Sequence, residues 1–178
     1  MRKRFKYIFV LGLLALTGIL WWQVFYLEKP ELKFYVLDVG QGDAIFIETP
    51  SKNQVLIDGG PDRSVLKELG EVMPFWDRNI DLVVLTHPNL DHAAGLVDVL
   101  KNYKVGMYLD AGDDYPLAEY EELKRIVSEK NIQYVRVKRG TRFTLDEEVE
   151  FLVLSPEKLV EGDPNFNSII AKLSFGEV

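Results

Sequence analysis

Twenty-one consecutive residues without a charge, Tyr7 to Leu27, set the first limit on what this chain can be. A helix rises about 1.5 Å per residue, so about 20 apolar residues cross a bilayer's hydrocarbon core with every backbone hydrogen bond closed inside the segment. Leu11, Leu13, Leu14, Leu16, Ile19 and Leu20 make the stretch apolar enough, and we expect residues 7–27 to form a single transmembrane helix. Arg2, Lys3, Arg4 and Lys6 precede it, while only Glu28 and Lys29 follow closely. By the positive-inside rule we expect residues 1–6 to be a cytoplasmic basic tail and the chain beyond the helix to lie outside the cytoplasmic membrane. The competing reading is a cleaved signal peptide. Such peptides have shorter apolar cores and a small-residue exit, whereas this segment leaves through Trp21, Trp22, Phe25 and Tyr26, residues of the kind that settle at membrane interfaces.

Pro30 makes a sensible helix end, so residues 28–31 read as a linker and residues 32–178 as one domain. The first 30 residues hold five of the 21 basic side chains and one of the 28 acidic ones, which leaves 16 against 27 beyond them, a net charge of −11. A polyanion meets repulsion over most of such a surface and needs a local basic patch or metal ions at the contact. With no cysteine, disulfides, thiolate ligands and cysteine nucleophiles are excluded.

The domain opens with three predicted strands, Leu32 to Val39, Ala44 to Thr49 and Gln54 to Ile57, joined by the turns Gly40-Gln41-Gly42 and Pro50-Ser51-Lys52-Asn53 as a meander. Ser64 to Val72 reads as a short helix. Asp81-Leu82-Val83-Val84-Leu85 carries the continuous apolar run of a buried strand. Helical spacing returns over Ala93 to Asn102 and through Leu117, Tyr120, Leu123, Ile126 and Val127. Val105 to Leu109 and Gln133 to Val137 read as strands. Alternating strands and helices predict an α/β layered domain. Thr141 to Leu145, Val149 to Leu154 and Ser168 to Phe175 read as further strands joined by turns.

The chemistry concentrates at one place. His87 and His92 are the chain's only histidines, and Asp91 stands beside the second. A buried strand ending at Thr86-His87 delivers the imidazole to the carboxyl edge of a sheet, where α/β layers place ligands. Asp91-His92 would open the next helix, so the three side chains can converge. Imidazole nitrogens and a carboxylate suit Zn²⁺ or Mn²⁺, and an ion with an open coordination position lowers the pKa of its water toward neutrality. The plain structural alternative is two polar histidines at a strand end and a helix start, with Asp91 as the helix cap.

Thr86-His87-Pro88-Asn89-Leu90-Asp91-His92-Ala93-Ala94-Gly95-Leu96 resembles the His-x-His-x-Asp-His signature of the metallo-β-lactamase superfamily, and more closely its variant in the hydrolase domain of ComEC-type DNA-uptake competence proteins. Leu37-Asp38-Val39-Gly40-Gln41-Gly42-Asp43-Ala44 is similar to that subgroup's opening turn. Leu56-Ile57-Asp58-Gly59-Gly60 is similar to the superfamily's acidic strand end, and Asn165-Phe166-Asn167-Ser168-Ile169-Ile170 to its late Asn-Ser strand. The resemblance runs from about Leu32 to Gly176. It implies an αββα sandwich and up to two divalent ions, zinc or manganese, at one edge of its sheets. His87 would bind the first ion. Asp91, which would also take part in the chemistry, and His92 would bind the second. Asp58 would orient a histidine from the floor of the site, and Asp43, Asn167 and Ser168 would lie close by. For Asp58 and Asp43 the alternative is a turn carboxylate that caps backbone amides.

Two departures accompany the match. Asn89 stands where the superfamily has its second histidine and the competence subgroup usually an aspartate, and a neutral amide is a poor replacement. No histidine follows His92, whereas the family takes a bridging aspartate and a further histidine from later strands. From this we expect a fragment or truncated reading frame, a half-sandwich whose strands at Val149 to Leu154 and Ser168 to Phe175 have uncovered apolar faces. The function implied is hydrolysis by metal-bound hydroxide in a membrane-anchored enzyme acting on DNA, a small phosphoester or another ester. The alternative is an inactive domain of the same fold that serves as a scaffold. A β-lactamase proper is disfavoured by Asn89.

Overall fold

The computed structural model describes residues 2–27 and 31–176. Residue 1 of the expected basic tail, residues 28–30 of the expected linker and residues 177–178 of the expected domain therefore lie outside the described residues. The chain divides into two compact units, residues 1–31 and 32–178. The first is a single helix, α1 (Arg2–Leu27), long and apolar enough by length and composition to cross a membrane. Within it Thr17 Oγ1 donates back to the carbonyls of Leu13 and Leu14 at 3.0 and 2.9 Å, so the helix satisfies that polar group internally.

The second unit is built on a six-stranded sheet in the order β1 (Lys33–Val36), β2 (Ile45–Glu48), β3 (Gln54–Ile57), β4 (Asn79–Val84), β5 (Lys104–Asp110), β6 (Gln133–Arg136). The first three form the antiparallel meander, and β3 to β6 are parallel. Parallel neighbours need crossovers, and these are the helices α2 (Ser64–Val72), α3 (Leu90–Asn102) and α4 (Ala118–Glu129). Val65, Leu69, Leu96, Val99, Leu100, Leu123 and Ile126 point their apolar stripes at Phe46, Leu56, Val83 and Tyr108 on one sheet face.

The opposite face packs on a three-stranded antiparallel sheet, β7 (Arg142–Asp146), β8 (Val149–Ser155) and β9 (Ile170–Phe175). Phe151, Val153 and Ile169 meet Ile47, Val55, Leu82, Val84 and Leu109 there. β4 is buried on both faces, which is why its sequence is a continuous apolar run rather than an alternating one. The described residues of the second unit thus form three layers, helix on sheet on sheet. On the outer side of the second sheet Leu154 and Ile170 remain exposed, at 45 and 58%.

Most boundaries shift by a residue or two from the sequence expectation, and three of the differences have a clear physical reason. β1 ends at Val36, because residues 37–39 leave the ladder for the Gly40 and Gly42 turn, where both glycines have positive φ. Helix α3 begins at Leu90, three residues before its apolar periodicity does, so Asp91 and His92 occupy its first turn and Asn89, not Asp91, is the N-cap. Ser168 is not in a strand. Asp163 accepts the backbone N–H of Asn165 at 2.9 Å and opens a 3-10 turn over Pro164–Asn167, and Ser168 follows as its C-cap before β9 starts at Ile170.

Candidate metal centre

The site forms at the carboxyl edge of the parallel strands. β3 delivers Asp58, β4 delivers Thr86 and His87, and the first turn of α3 delivers Asp91 and His92. Asp58 is 2% exposed and takes a left-handed backbone, φ 57°, that is uncommon outside glycine and tolerated best by Asn and Asp. That turn lets both carboxylate oxygens face back across the strand ends. Oδ1 accepts the backbone N–H of Thr86 at 2.8 Å, and Oδ2 accepts the Thr86 hydroxyl at 2.6 Å. Oδ2 also lies 2.8 Å from His92 Nδ1. A carboxylate has no proton to give in these contacts, so His92 Nδ1 is the donor and its Nε2 keeps the lone pair.

Backbone contacts lock the first turn of α3 over this carboxylate. Gly59 N–H donates to the His92 carbonyl at 2.9 Å, and Gly95 N–H to the Gly60 carbonyl at 3.0 Å. The approach leaves no room for side chains: a Cβ on Gly59 would press on the Gly95–Leu96 backbone, and one on Gly95 on the carbonyls of Gly59 and Asp62. Gly42 has the same constraint against the backbone of Asp91, so the loop carrying Asp43 sits directly on the helix start.

The two imidazole rings stand with centroids 4.1 Å apart, and Asp91 Oδ1 is 4.0 Å from His92 Nε2. His87 is buried at 9% exposure, and burial, reinforced by neighbouring His92, pushes its pKa below the ordinary value. His92 moves the other way. Burial by itself would lower it, but the hydrogen bond and charge of Asp58, with Asp91 and Asp43 nearby, outweigh that and raise it. By linkage, the stability contributed by His92 is fully present below the unfolded value near 6.5 and is lost as pH rises through its raised folded value. His87 contributes above 6.5 and loses its contribution as pH falls toward its lowered folded value. Their joint contribution therefore peaks near pH 6.5 in the metal-free protein. Histidine-resolved NMR titration checks this, with His87 expected to titrate below the ordinary value and His92 above it.

Not every predicted residue reaches the centre. The Asn89 amide donates to Asn165 Oδ1 over a long 3.4 Å, while its backbone carbonyl takes the N–H groups of His92 and Ala93. Asn167, 1% exposed, is a loop clasp: its Oδ1 accepts from Val160 N–H at 2.8 Å, and its Nδ2 donates to the Val160 carbonyl and to Asp113 Oδ2. Ser168 belongs to the adjoining turn, which the bond from Ile169 N–H to the Thr86 carbonyl ties to the site at 2.9 Å. Asp43 contributes charge beside His92. Thr86 and Asn165 lie inside the motifs that the sequence offers but carry no assigned role there, and Asp163 lies outside them. Asp163, whose charge reaches His87, carries only the local signal of an Asp before Pro164 at a helical turn.

The chemistry of the donors suits a divalent ion: an imidazole Nε2 freed by an Nδ1 bond to a carboxylate, a second imidazole beside it, and a partly exposed carboxylate. Their number does not complete a site. Among the described residues no three histidine, aspartate or glutamate side chains come together closely enough to hold an ion by themselves.

Comparison with known proteins bears on residues 37–176, which match the sequence profile described as the metallo-beta-lactamase superfamily. ComE operon protein 3 of Bacillus subtilis (strain 168) is 28% identical over 158 residues, 79% of this chain and 20% of that protein. The chain thus spans about a fifth of that relative's length. Among solved structures, the metallo-beta-lactamase fold protein YhfI from Bacillus subtilis is similar with a TM-score of 0.54 at 15% identity, over 81% of this chain and 58% of that one. Rubredoxin oxygen:oxidoreductase from Desulfovibrio gigas reaches 0.54 at 14% identity, over 79 and 38%. At such identities these two similarities speak to the fold alone.

Proposed function

Because the chain belongs to the metallo-beta-lactamase superfamily, whose members bind divalent metals and are generally hydrolases, we propose that it is a membrane-anchored, metal-dependent hydrolase domain acting on phosphodiesters. The observation that carries the reading is the shared anchor of the two motif halves. One buried carboxylate, Asp58, holds both the strand end that bears His87 and the imidazole of His92. A histidine kept merely as a surface polar group needs no such support.

His87, Asp91 and His92 would contribute donors to the ion, zinc or manganese, without completing its site, and the remaining coordination positions would fall to water, substrate or ligands outside the described residues. When bound, the ion supplies Lewis acidity and activates water for hydrolysis. The protein's own part is positional. Asp58 fixes the ring of His92, the glycine contacts fix the helix start, and Asp91 brings a carboxylate to the rim at about one-third exposure. DNA is the substrate the similarity to a competence-operon protein favours. The acidic surface, net −11 beyond residue 30, argues that such a strand is approached through the metal rather than through a basic groove. Helix α1 would anchor the domain with its basic N-terminal tail inside and the site outside the membrane.

The test is hydrolysis of a bis-aryl phosphodiester and of single-stranded DNA by the full chain in detergent. We expect activity with Mn²⁺ or Zn²⁺, loss on chelation, and a fall of at least about 100-fold in Asp91→Asn. A second reading, a scaffold of the same fold, is favoured by Asn89, whose amide replaces a charged or imidazole donor. A folded chain that takes up no metal and hydrolyses neither substrate would establish that reading instead.

A further inference from the structure

A hydroxyl carries one proton, and Thr86 Oγ1 has two candidates for it. Asp58 Oδ2 lies at 2.6 Å and His87 Nδ1 at 3.0 Å. The carboxylate oxygen offers only lone pairs, and the shorter contact has the length of a charge-assisted O–H···O bond. The Thr86 proton therefore goes to Asp58, which leaves the hydroxyl oxygen facing His87 as an acceptor. For the 3.0 Å contact to be a hydrogen bond, His87 Nδ1 must carry the proton, and the lone pair must sit on Nε2.

We propose that Thr86 is a positioning residue that fixes the tautomer of His87, relaying the acceptor character of Asp58 to a histidine the carboxylate is not bonded to. His92 receives the same instruction directly, through Nδ1 at 2.8 Å from the same Oδ2. One buried carboxylate thereby sets both imidazoles with Nδ1 protonated and Nε2 open, the state in which either ring can ligate a cation. In water a free imidazole favours the opposite tautomer, with its proton on Nε2, so the arrangement is imposed by these contacts. The backbone of Thr86 is held independently, by its N–H to Asp58 Oδ1 and its carbonyl from Ile169 N–H. Removing the hydroxyl therefore leaves residue 86 in place.

The experiment is two-bond proton–nitrogen correlation NMR on the metal-free full chain in detergent, labelled with nitrogen-15 at histidine, at a pH where both rings are neutral. The wild type is expected to show both histidines with Nδ1–H. Thr86→Val, close in shape and without the hydroxyl, is expected to move His87 to the Nε2–H form while the His92 pattern stays unchanged. Thr86→Ser is expected to restore it. A wild-type His87 with its proton on Nε2 would overturn the proposal, as would a Thr86→Val protein that keeps Nδ1–H at His87 with His92 undisturbed. Should Thr86→Val not fold, the wild-type and Thr86→Ser spectra decide the matter alone.

The consequence for metal is a 10–100-fold weaker Zn²⁺ affinity in Thr86→Val, roughly the range for supporting groups around metal ligands. That consequence rests on the metal-site reading. The tautomer is read without metal, so failure of the site and failure of the Thr86 relay are separately visible.

Discussion

Asp58→Asn is expected to destabilise the domain by about 3–5 kcal/mol, the range for removing one partner of a buried charged contact. Asparagine keeps the size of the side chain and tolerates the positive φ at position 58, so backbone strain is not what changes. What changes is the match of donors to acceptors. Asp58 meets three donors, the Thr86 N–H, the Thr86 hydroxyl and His92 Nδ1–H. An amide nitrogen in place of Oδ2 would turn a donor toward two of them. Asp58→Ala adds to this a left-handed alanine, at a further cost of roughly 1–2 kcal/mol. Chemical unfolding followed by near-ultraviolet circular dichroism measures both. A loss below about 1 kcal/mol in Asp58→Asn would mean that the carboxylate is a solvated turn cap rather than the centre of the site.

The second large effect has a sign opposite to the usual one. Alanine for glycine inside a helix ordinarily stabilises by about 0.5–1 kcal/mol. Gly70, in α2, is such a case, since nothing lies within 4 Å of the Cβ it lacks, and Gly70→Ala is expected to stabilise by that amount. Gly95, in α3, is not. Its added methyl would run into the carbonyls of Gly59 and Asp62, which are backbone and cannot swing aside. Gly95→Ala is expected to destabilise by about 3 kcal/mol or more, at the upper end of overpacking costs. It is also expected to lengthen the Gly59 to His92 backbone bond that seats the ring over Asp58. Paired unfolding curves of the two variants check the contrast, and equal small effects would contradict the close packing of α3 on residues 58–60.

These two cases mark what could be read from the sequence and what could not. The continuous apolar run Asp81 to Leu85 announced a strand buried on both faces, and a histidine directly after it announced a sheet-edge site. The meander and all three helices of the second unit were legible from periodicity and turn residues for the same reason: their signals are local. The start of α3 was legible to within a residue from Asp91-His92 opening the helix, although Leu90-Asp91-His92 adds nothing to an apolar stripe and the remaining signal is a cap residue and an acidic first turn. Ser168 looked like a strand residue because the Asp163 cap acts through a side chain rather than through hydrophobic pattern. The role of Thr86 and the contact of Gly59 with Gly95 are tertiary facts. Both depend on a loop after β3 meeting elements beyond β4, and no local pattern encodes that meeting.

The two apolar clusters also explain why so few polar residues suffice to fix the site. Leu96 and Leu85, both fully buried, hold α3 and the end of β4 against the sheet. The ends of rigid elements, rather than a long loop, then present His87, Asp91 and His92.

Calorimetric titration of Zn²⁺ and Mn²⁺ into the full, metal-free chain in detergent, with His92→Ala as its partner, decides whether His87, Asp91 and His92 bind an ion. We expect saturable binding by the wild type that weakens as pH falls below neutrality, because protons compete for the imidazoles, and that His92→Ala removes. No saturable binding by a folded wild-type chain, or binding that His92→Ala leaves unchanged, would contradict that expectation.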